Sequence, residues 1–563
     1  MNINPKSEYM RWLNSPALDS KTKAELLNLT ESEINERFCH HLEFGTAGLR
    51  GKMEAGINRL NVYTIRKATS GLANYIAQHS PESKSRGVVI SYDSRNNSRD
   101  FAFEAAKVLA SNDIKVYIYD SLRPTPQLSF SVRHLHAIAG IMVTASHNPK
   151  EYNGYKVYWE DGGQLPPLVC DKILPEIDAA DEFNITFDEA RISKNIQVLD
   201  EKIDDAYINI VLQQKINKGG NVSIVYSPLH GAGFVPVTRA LAEAGFDNVT
   251  LVESQCQPDG NFPTCSYPNP EFIEALELSI NKAKQVNADI IIATDPDSDR
   301  TGVCARRDDG EYEHFTGNQV GIMLTEYILT QRYNKQNTIN NAKTPVVIST
   351  IVSSRLTQKI CEDNNAEYFD VYTGFKFIGE KILTLKPNEE FAIGWEESIG
   401  YLIGDYARDK DAVVASIMVA EMAQFCKDNG SNLLDYLDGI YKKYGYYCEK
   451  TIHVTHEGLE GTKIISEIMA GYRAKPPKAI GGKKVVAMRD YSTLKRSDYL
   501  KNEMADINMN QTSNVIAFEL EENCSITVRP SGTEPKIKYY ISAVNSDKTL
   551  ANASLIEIEK SLK

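Results

Sequence analysis

Short β-branched runs alternate with stretches of helical periodicity along most of the chain, and this alternation restricts it to βαβ units around mostly parallel sheets. The first cycle reads as strand 88–93, helix 101–110, strand 115–120, helix 127–136 and strand 137–144. The last of these is nearly all apolar, as expected of a strand buried on both faces of a parallel sheet. The cycle restarts beyond the polar stretch 217–221, with strand 222–226, helix 234–244, strand 249–253, helix 271–286 and strand 289–294. A Pro/Asn/Gly-rich loop, 257–270, interrupts it, and loops of this length are commonly functional. A third cycle has helix 317–331, strand 346–351, helix 354–363, strand 368–371, helix 375–385 and strand 391–394, and closes on a long helix at 411–427. The remainder mixes strands 451–455, 483–488, 514–520 and 525–528 with two helices. The expected fold class is α/β: three similar βαβ domains with mixed or parallel sheets, followed by an α+β C-terminal domain. Boundaries are expected at 1–205, 206–312, 313–445 and 446–563. Domains of ~100–200 residues leave room for an active site between them.

Charge limits the partners. With 62 basic and 75 acidic residues the net charge is −13, which argues against non-specific binding to nucleic acid; an anionic substrate would need local basic clusters. Apolar runs such as 412–420 are too short to span a bilayer, and no basic region followed by an apolar stretch opens the sequence, so neither export nor membrane insertion is expected. The nine cysteines are scattered and contain no C-x-x-C, which fits a reducing cytoplasm better than a disulfide framework or a zinc knuckle.

Two motifs sit directly after apolar strands. Asp295-Pro-Asp297-Ser-Asp299-Arg300 places carboxylates at i, i+2 and i+4, where they can converge on one hard cation, with Mg²⁺ favoured over Ca²⁺ if phosphate completes the shell. An EF-hand is excluded, because loop position six is Arg300 and position twelve is Arg306. Without a cation the three carboxylates would repel one another, although a solvated acidic turn is the simpler alternative. Thr144-Ala-Ser146-His147-Asn148-Pro149 offers a hydroxyl and an imidazole at a strand tip, suited to a nucleophile exposed in a cleft, while turn capping would explain the same residues. It lacks the G-x-S-x-G of a hydrolase elbow.

Two further segments are basic and hydroxyl-rich. Gly45-Thr-Ala-Gly48-Leu-Arg50-Gly51-Lys52 is not a phosphate-binding Walker loop, since Met53 stands where Ser or Thr is required. Arg529-Pro-Ser531-Gly532-Thr533 combines an arginine fork, hydroxyls and a glycine, an inventory suited to a phosphate dianion. Gly231-Ala-Gly233 hints at a dinucleotide fingerprint, but Pro236 holds the place of the third glycine, so a packing turn is the better reading.

In their order along the chain, 144–149, 295–300, Gly394-Trp-Glu396-Glu397-Ser398 and 529–533 resemble the α-D-phosphohexomutases, which include phosphoglucomutases, phosphomannomutases and phosphopentomutases. The resemblance covers about 44–540 and implies four domains around a central cleft. It implies a phosphorylated Ser146 and Mg²⁺ held by the seryl phosphate with Asp295, Asp297 and Asp299. Glu396 and Ser398 would contact sugar hydroxyls, and Arg529, Ser531, Gly532 and Thr533 would grip the substrate phosphate. Arg50, His147, Lys156, Arg300 and Lys410 are implied as further active-site groups. The reaction so implied interconverts glucose 1-phosphate and glucose 6-phosphate through a sugar 1,6-bisphosphate, which also primes the enzyme. Phosphomannomutase, phosphopentomutase and sugar-bisphosphate synthase are alternatives, as is a catalytically silent sugar-phosphate-binding protein. Trp395 and the long 152–167 segment look closer to the branch that contains animal phosphopentomutase.

Overall fold

The computed structural model describes residues 3–45, 48–333, 343–456, 461–531 and 536–562. The chain divides into two compact units, Met1–Leu324 with Gly374–Leu433, and Thr325–Thr373 with Leu434–Lys563.

In the first unit, strands Ala139–Val143, Val88–Tyr92, Val116–Ile118 and Ile196–Val198 run parallel. The long strand Tyr152–Trp159 adds to them antiparallel, and Leu49–Lys52 pairs antiparallel with it at the edge. Both central strands are buried along their whole length because helices cover both faces of the sheet. Alternate residues feed opposite cores: Val88, Ile90, Ile141 and Val143 pack with helices Val62–His79, Ser98–Ser111 and Pro167–Ala179, whereas Val89 and Met142 pack with Thr125–His134 and Glu201–Leu212. The sequence reading missed Tyr152–Trp159. Its Asn153-Gly154 pair looks like a turn, yet Thr144 N donates to Gly154 O at 3.1 Å and carries the strand alongside the serine loop.

The second sheet of this unit repeats the plan. Ile224–Ser227 runs parallel to Val249–Leu251 and to the fully buried Ile290–Thr294, and Thr301–Arg306 and Tyr312–His314 extend it antiparallel. The helix expected at 271–286 begins later, at Glu277, after a 3-10 turn Ile273–Leu276, because Asn269 draws the preceding backbone into a turn. The unit also contains the hairpin Glu389–Glu396 with Gly400–Ile403, and helix Ala412–Asp428, which Asp411 caps by accepting from Val413 N and Val414 N.

In the second unit Thr344–Thr350 pairs parallel with Glu367–Val371. A separate antiparallel sheet runs Tyr446–Thr455, Lys536–Asn545, Ser525–Pro530, Ile516–Leu520, Lys483–Asp490, Lys495–Asp498 and Glu503–Asp506. Helices Gly461–Ala474 and Lys548–Ser561 cover one face through Ile465, Met469 and Ile558, so the last part is α+β as expected. None of the nine cysteines is paired, and among the described residues no helix is long and apolar enough to cross a membrane.

One ion-pair cluster on this sheet has a measurable consequence. Glu519 accepts from Arg489 Nε at 2.7 Å and from Arg496 Nη2 at 2.7 Å. Burial opposes its charge, but the two guanidinium groups outweigh burial and pull its pKa from 4.5 to about 2. The folded value lies below the unfolded one, so the stability Glu519 supplies is fully present above pH 4.5 and is lost as pH falls toward 2. Glu519→Gln should flatten the acid dependence of stability across that window, by about 1 kcal/mol once solvent screening of a partly exposed cluster is allowed for, read by urea unfolding of the protein. Parallel curves for wild type and variant would show that the cluster is energetically silent.

Candidate active site

The serine loop leaves the carboxyl end of Ala139–Val143. Ser146 takes φ +52°, a left-handed backbone angle that turns the chain sharply after the strand. Its Oγ donates to Asp295 Oδ2 at 2.7 Å and lies 3.2 Å from His147 Nδ1. Burial, reinforced by the charges of Arg300 and Arg50, pushes His147 well below its usual pKa, so the imidazole is neutral. Arg50, on the edge strand, donates to Asn148 Oδ1 at 3.2 Å.

Asp295, Asp297 and Asp299 follow Ile290–Thr294 and are all buried. Asp295 Oδ1 folds the loop back by accepting from the backbone of Asp299 and Arg300, each at 3.0 Å. Asp297 Oδ2 accepts from Lys156 Nζ at 2.9 Å and from Thr125 Oγ1 at 3.0 Å. Burial disfavours the Asp297 carboxylate, but Lys156 outweighs it and holds the pKa below the usual range. For Asp295, burial and the charges of Asp297 and Asp299 act together and push the pKa well up. Gly231 and Gly233 serve this loop as packing residues, not as a nucleotide fingerprint: a Cβ at Gly231 would lie 2.4 Å from Pro296 Cα.

Lys410 reaches the same cluster from the segment before helix Ala412–Asp428. Its Nζ is 3.1 Å from Asp299 Oδ2 and 2.8 Å from Asp409 Oδ1. Gly400 makes room for it, since a Cβ there would lie 2.1 Å from Lys410 Cδ. Asp409 Oδ2 accepts from Tyr158 at 2.7 Å and Gln164 at 3.0 Å. Tyr158 and Lys156 sit two residues apart on one strand, so they share a face, and each anchors one side of the aspartate cluster. Glu396 is buried at the end of its strand, where Oε1 accepts from Gly374 N at 2.7 Å. Burial raises its pKa, with Lys410 acting in the opposite direction. Half-buried Ser398 follows in the same turn, and Thr301 N, next to Arg300, donates to Ile399 O at 3.0 Å.

The donor set fits a hard divalent cation. The three carboxylates offer oxygens within 4.8 Å of one another. Among the described residues, the buried Oδ1 atoms of Asp297 and Asp299 accept no hydrogen bond, and Arg300 Nε donates none. Buried carboxylate oxygens left without donors are costly unless a cation takes them, and an all-oxygen set suits Mg²⁺ or Ca²⁺ better than a thiophilic metal.

The first unit thus gathers Arg50, Ser146, His147, Lys156, Asp295, Asp297, Asp299, Arg300, Glu396, Ser398 and Lys410. Arg529 and Ser531 belong to the second unit, where Arg529 is half-buried on Ser525–Pro530 and Ser531 N donates to Lys536 O at 2.8 Å. Gly532 and Thr533 lie outside the described residues. Sequence reasoning passed over Asp93, Arg95, Thr125, Tyr158 and Asp409. Each works through a contact with a residue distant in sequence or hidden inside a strand, and only the Asp93-Ser-Arg95 ending of an apolar strand could have signalled any of them.

Family models for the phosphoglucomutase/phosphomannomutase α/β/α domains I, II and III match residues 41–184, 205–310 and 316–444. The chain belongs to this family. It is a phosphohexomutase, an intramolecular phosphotransferase of the isomerase class. A phosphoglucomutase of Staphylococcus haemolyticus is 40% identical over 513 residues, which cover 90% of this chain and 91% of that protein. Among solved structures of the phosphohexomutase fold, parafusin, a phosphoglucomutase from Paramecium, has TM-score 0.66 at 18% identity over 92% of this chain and 93% of that one. Aspergillus fumigatus N-acetylphosphoglucosamine mutase, crystallised with GlcNAc-6P and magnesium, has TM-score 0.51 at 12% identity over 99% of this chain and 98% of that one.

Proposed function

We propose that the enzyme interconverts glucose 1-phosphate and glucose 6-phosphate through a phosphorylated Ser146 and a bound glucose 1,6-bisphosphate. The observation that carries this is Ser146 Oγ held at 2.7 Å from Asp295, inside a buried aspartate cluster with two acceptor oxygens left over. Glucose is favoured because the 40% identical relative is named a phosphoglucomutase.

In the forward half-reaction the P–Oγ bond of phospho-Ser146 breaks as the free sugar hydroxyl bonds to phosphorus. The hydroxyl proton passes to His147, whose neutral imidazole can take it, whereas Lys156 is already an ammonium donating to Asp297 and can only supply a proton. Arg300, whose Nε lies 3.7 Å from Asp299 Oδ1 and makes no hydrogen bond there, offers it to a phosphoryl oxygen, and Lys410 offsets negative charge beside Asp299. Asp295, Asp297 and Asp299 would hold Mg²⁺, as the Aspergillus relative's crystals contain, and that cation when bound supplies charge neutralisation for the transferred group. The bisphosphate then turns end for end and returns its other phosphoryl to Ser146, which regenerates the enzyme. Glu396 and Ser398 take the sugar hydroxyls, and 529–533 takes the phosphate that is not reacting.

The test is kcat/KM on glucose 1-phosphate, mannose 1-phosphate and ribose 1-phosphate, with and without Mg²⁺ and a catalytic amount of bisphosphate. Glucose 1-phosphate should rank first and both additions should be required; a preference for ribose 1-phosphate would assign the enzyme to pentose chemistry instead. In the same assay Glu396→Gln should change the ranking of sugars, because it removes a charged acceptor for a sugar hydroxyl. Arg529→Ala should weaken all three substrates alike, by ~10-fold or more, since they share the dianion. A uniform loss for Glu396→Gln with a sugar-dependent loss for Arg529→Ala would reverse these roles.

A further inference from the structure

We propose that Arg95 is a positioning residue which, with Asp93, fixes the backbone on both sides of Ser146; the idea rests on the reading that Ser146 carries the phosphoryl group. Both residues sit just past the end of Val88–Tyr92, the neighbour of the strand that carries the serine. On the amino side, Ser146 N donates to Thr144 Oγ1 at 2.7 Å, and Thr144 Oγ1 donates to Asp93 Oδ2 at 2.5 Å. On the carboxyl side, Arg95 Nε and Nη2 both donate to Ser146 O. The same guanidinium continues along the loop, with Nη2 donating to Asn148 O, and Nη1 to Pro149 O at 2.9 Å and Tyr152 O at 3.0 Å. Asp93 completes the unit: its Oδ1 accepts from Arg95 N at 2.9 Å and Ser98 Oγ at 2.6 Å, and its Oδ2 lies 3.4 Å from Arg95 Nε.

The Arg95 side chain is 0% exposed, and the ring of Phe262, from the loop 257–270, lies 5.0 Å from its guanidinium carbon. It therefore acts through the loop and not on substrate. A left-handed φ at serine persists only where the surroundings over-determine it, and here two side chains grip the flanking peptide groups. A planar fork with several donors is needed to hold four carbonyl oxygens at once, which one ammonium group cannot do.

Arg95→Lys and Thr144→Val should each lower kcat by ~10²-fold, the scale of a small misplacement of a reacting group, while KM for glucose 1-phosphate stays within about threefold. Phosphorylation of Ser146 by glucose 1,6-bisphosphate, followed by mass spectrometry, should slow by the same factor. If Arg95→Lys does not fold, Thr144→Val, which keeps the side-chain shape, decides alone. Wild-type kcat in the folded variants overturns the proposal, as does a loss no greater than the unfolded fraction measured by circular dichroism. Ser146→Ala is run alongside: should it stay active, the covalent reading falls and the proposal with it. An inactive Ser146→Ala beside a fully active Arg95→Lys sinks only the positioning role.

Discussion

Ser146→Ala should abolish mutase turnover, by ~10⁴-fold or more, and leave stability within about 1 kcal/mol of wild type. The size of the loss follows from the position of the hydroxyl. Ser146 Oγ touches Asp295 and faces His147, and no other hydroxyl among the described residues is hydrogen-bonded to Asp295. Thr125 reaches Asp297, but its Oγ1 is committed as donor to that carboxylate and its backbone N donates to Asp297 O at 2.9 Å. The stability effect is small because alanine can occupy the same turn and the peptide groups flanking residue 146 keep their partners. Steady-state turnover, together with a mass measurement for one phosphate per chain, checks both halves. Turnover above a few per cent of wild type, or a phosphate on another residue, would remove Ser146 from its role.

Asp297→Asn should weaken Mg²⁺ and depress turnover together, each on the order of 10²-fold or more, since a full charge leaves a hard-cation site. Without metal the variant should not be markedly less stable than wild type. Two effects oppose each other there: the buried Lys156 loses its 2.9 Å carboxylate partner, while repulsion with Asp295 and Asp299 falls. The discriminating measurement is therefore the rise in melting temperature on adding Mg²⁺, which should be clear for wild type and nearly absent for Asp297→Asn. Equal rises for the two proteins would place the cation elsewhere. An activity unaffected by chelation of the wild type would end the metal assignment altogether.

Lys156 and Lys410 place two buried cations against the aspartate cluster: Lys156 Nζ lies 2.9 Å from Asp297 Oδ2 and 3.8 Å from Asp299 Oδ2, and Lys410 Nζ lies 3.1 Å from Asp299 Oδ2 and 2.8 Å from Asp409 Oδ1. This network joins residues from a strand of the first sheet, the loop after a strand of the second, and the segment before helix Ala412–Asp428. Its opposite charges explain how three carboxylates are tolerated side by side before any cation or phosphate arrives.

The chain's sequence determined the βαβ cycles, because strands buried on both faces must be apolar throughout and the helices between them carry a 3.6-residue period. It also determined where Ser146 and Asp295, Asp297 and Asp299 would lie, since each motif directly follows such a strand and the carboxyl ends of parallel strands are where ligand loops emerge. Tertiary structure alone decided what surrounds them. Arg95 grips a serine loop 51 residues away, Asp297 meets Lys156 across 141 residues, and Tyr158 meets Asp409 across 251. Local periodicity carries no information about such pairs, because the partners are selected by packing between sheets and not by any spacing along the chain. The strand Tyr152–Trp159 stayed hidden for a related reason: it is buried from Asn153 onward, so it lacks the polar alternation that marks an antiparallel strand, and its Asn-Gly pair imitates a turn.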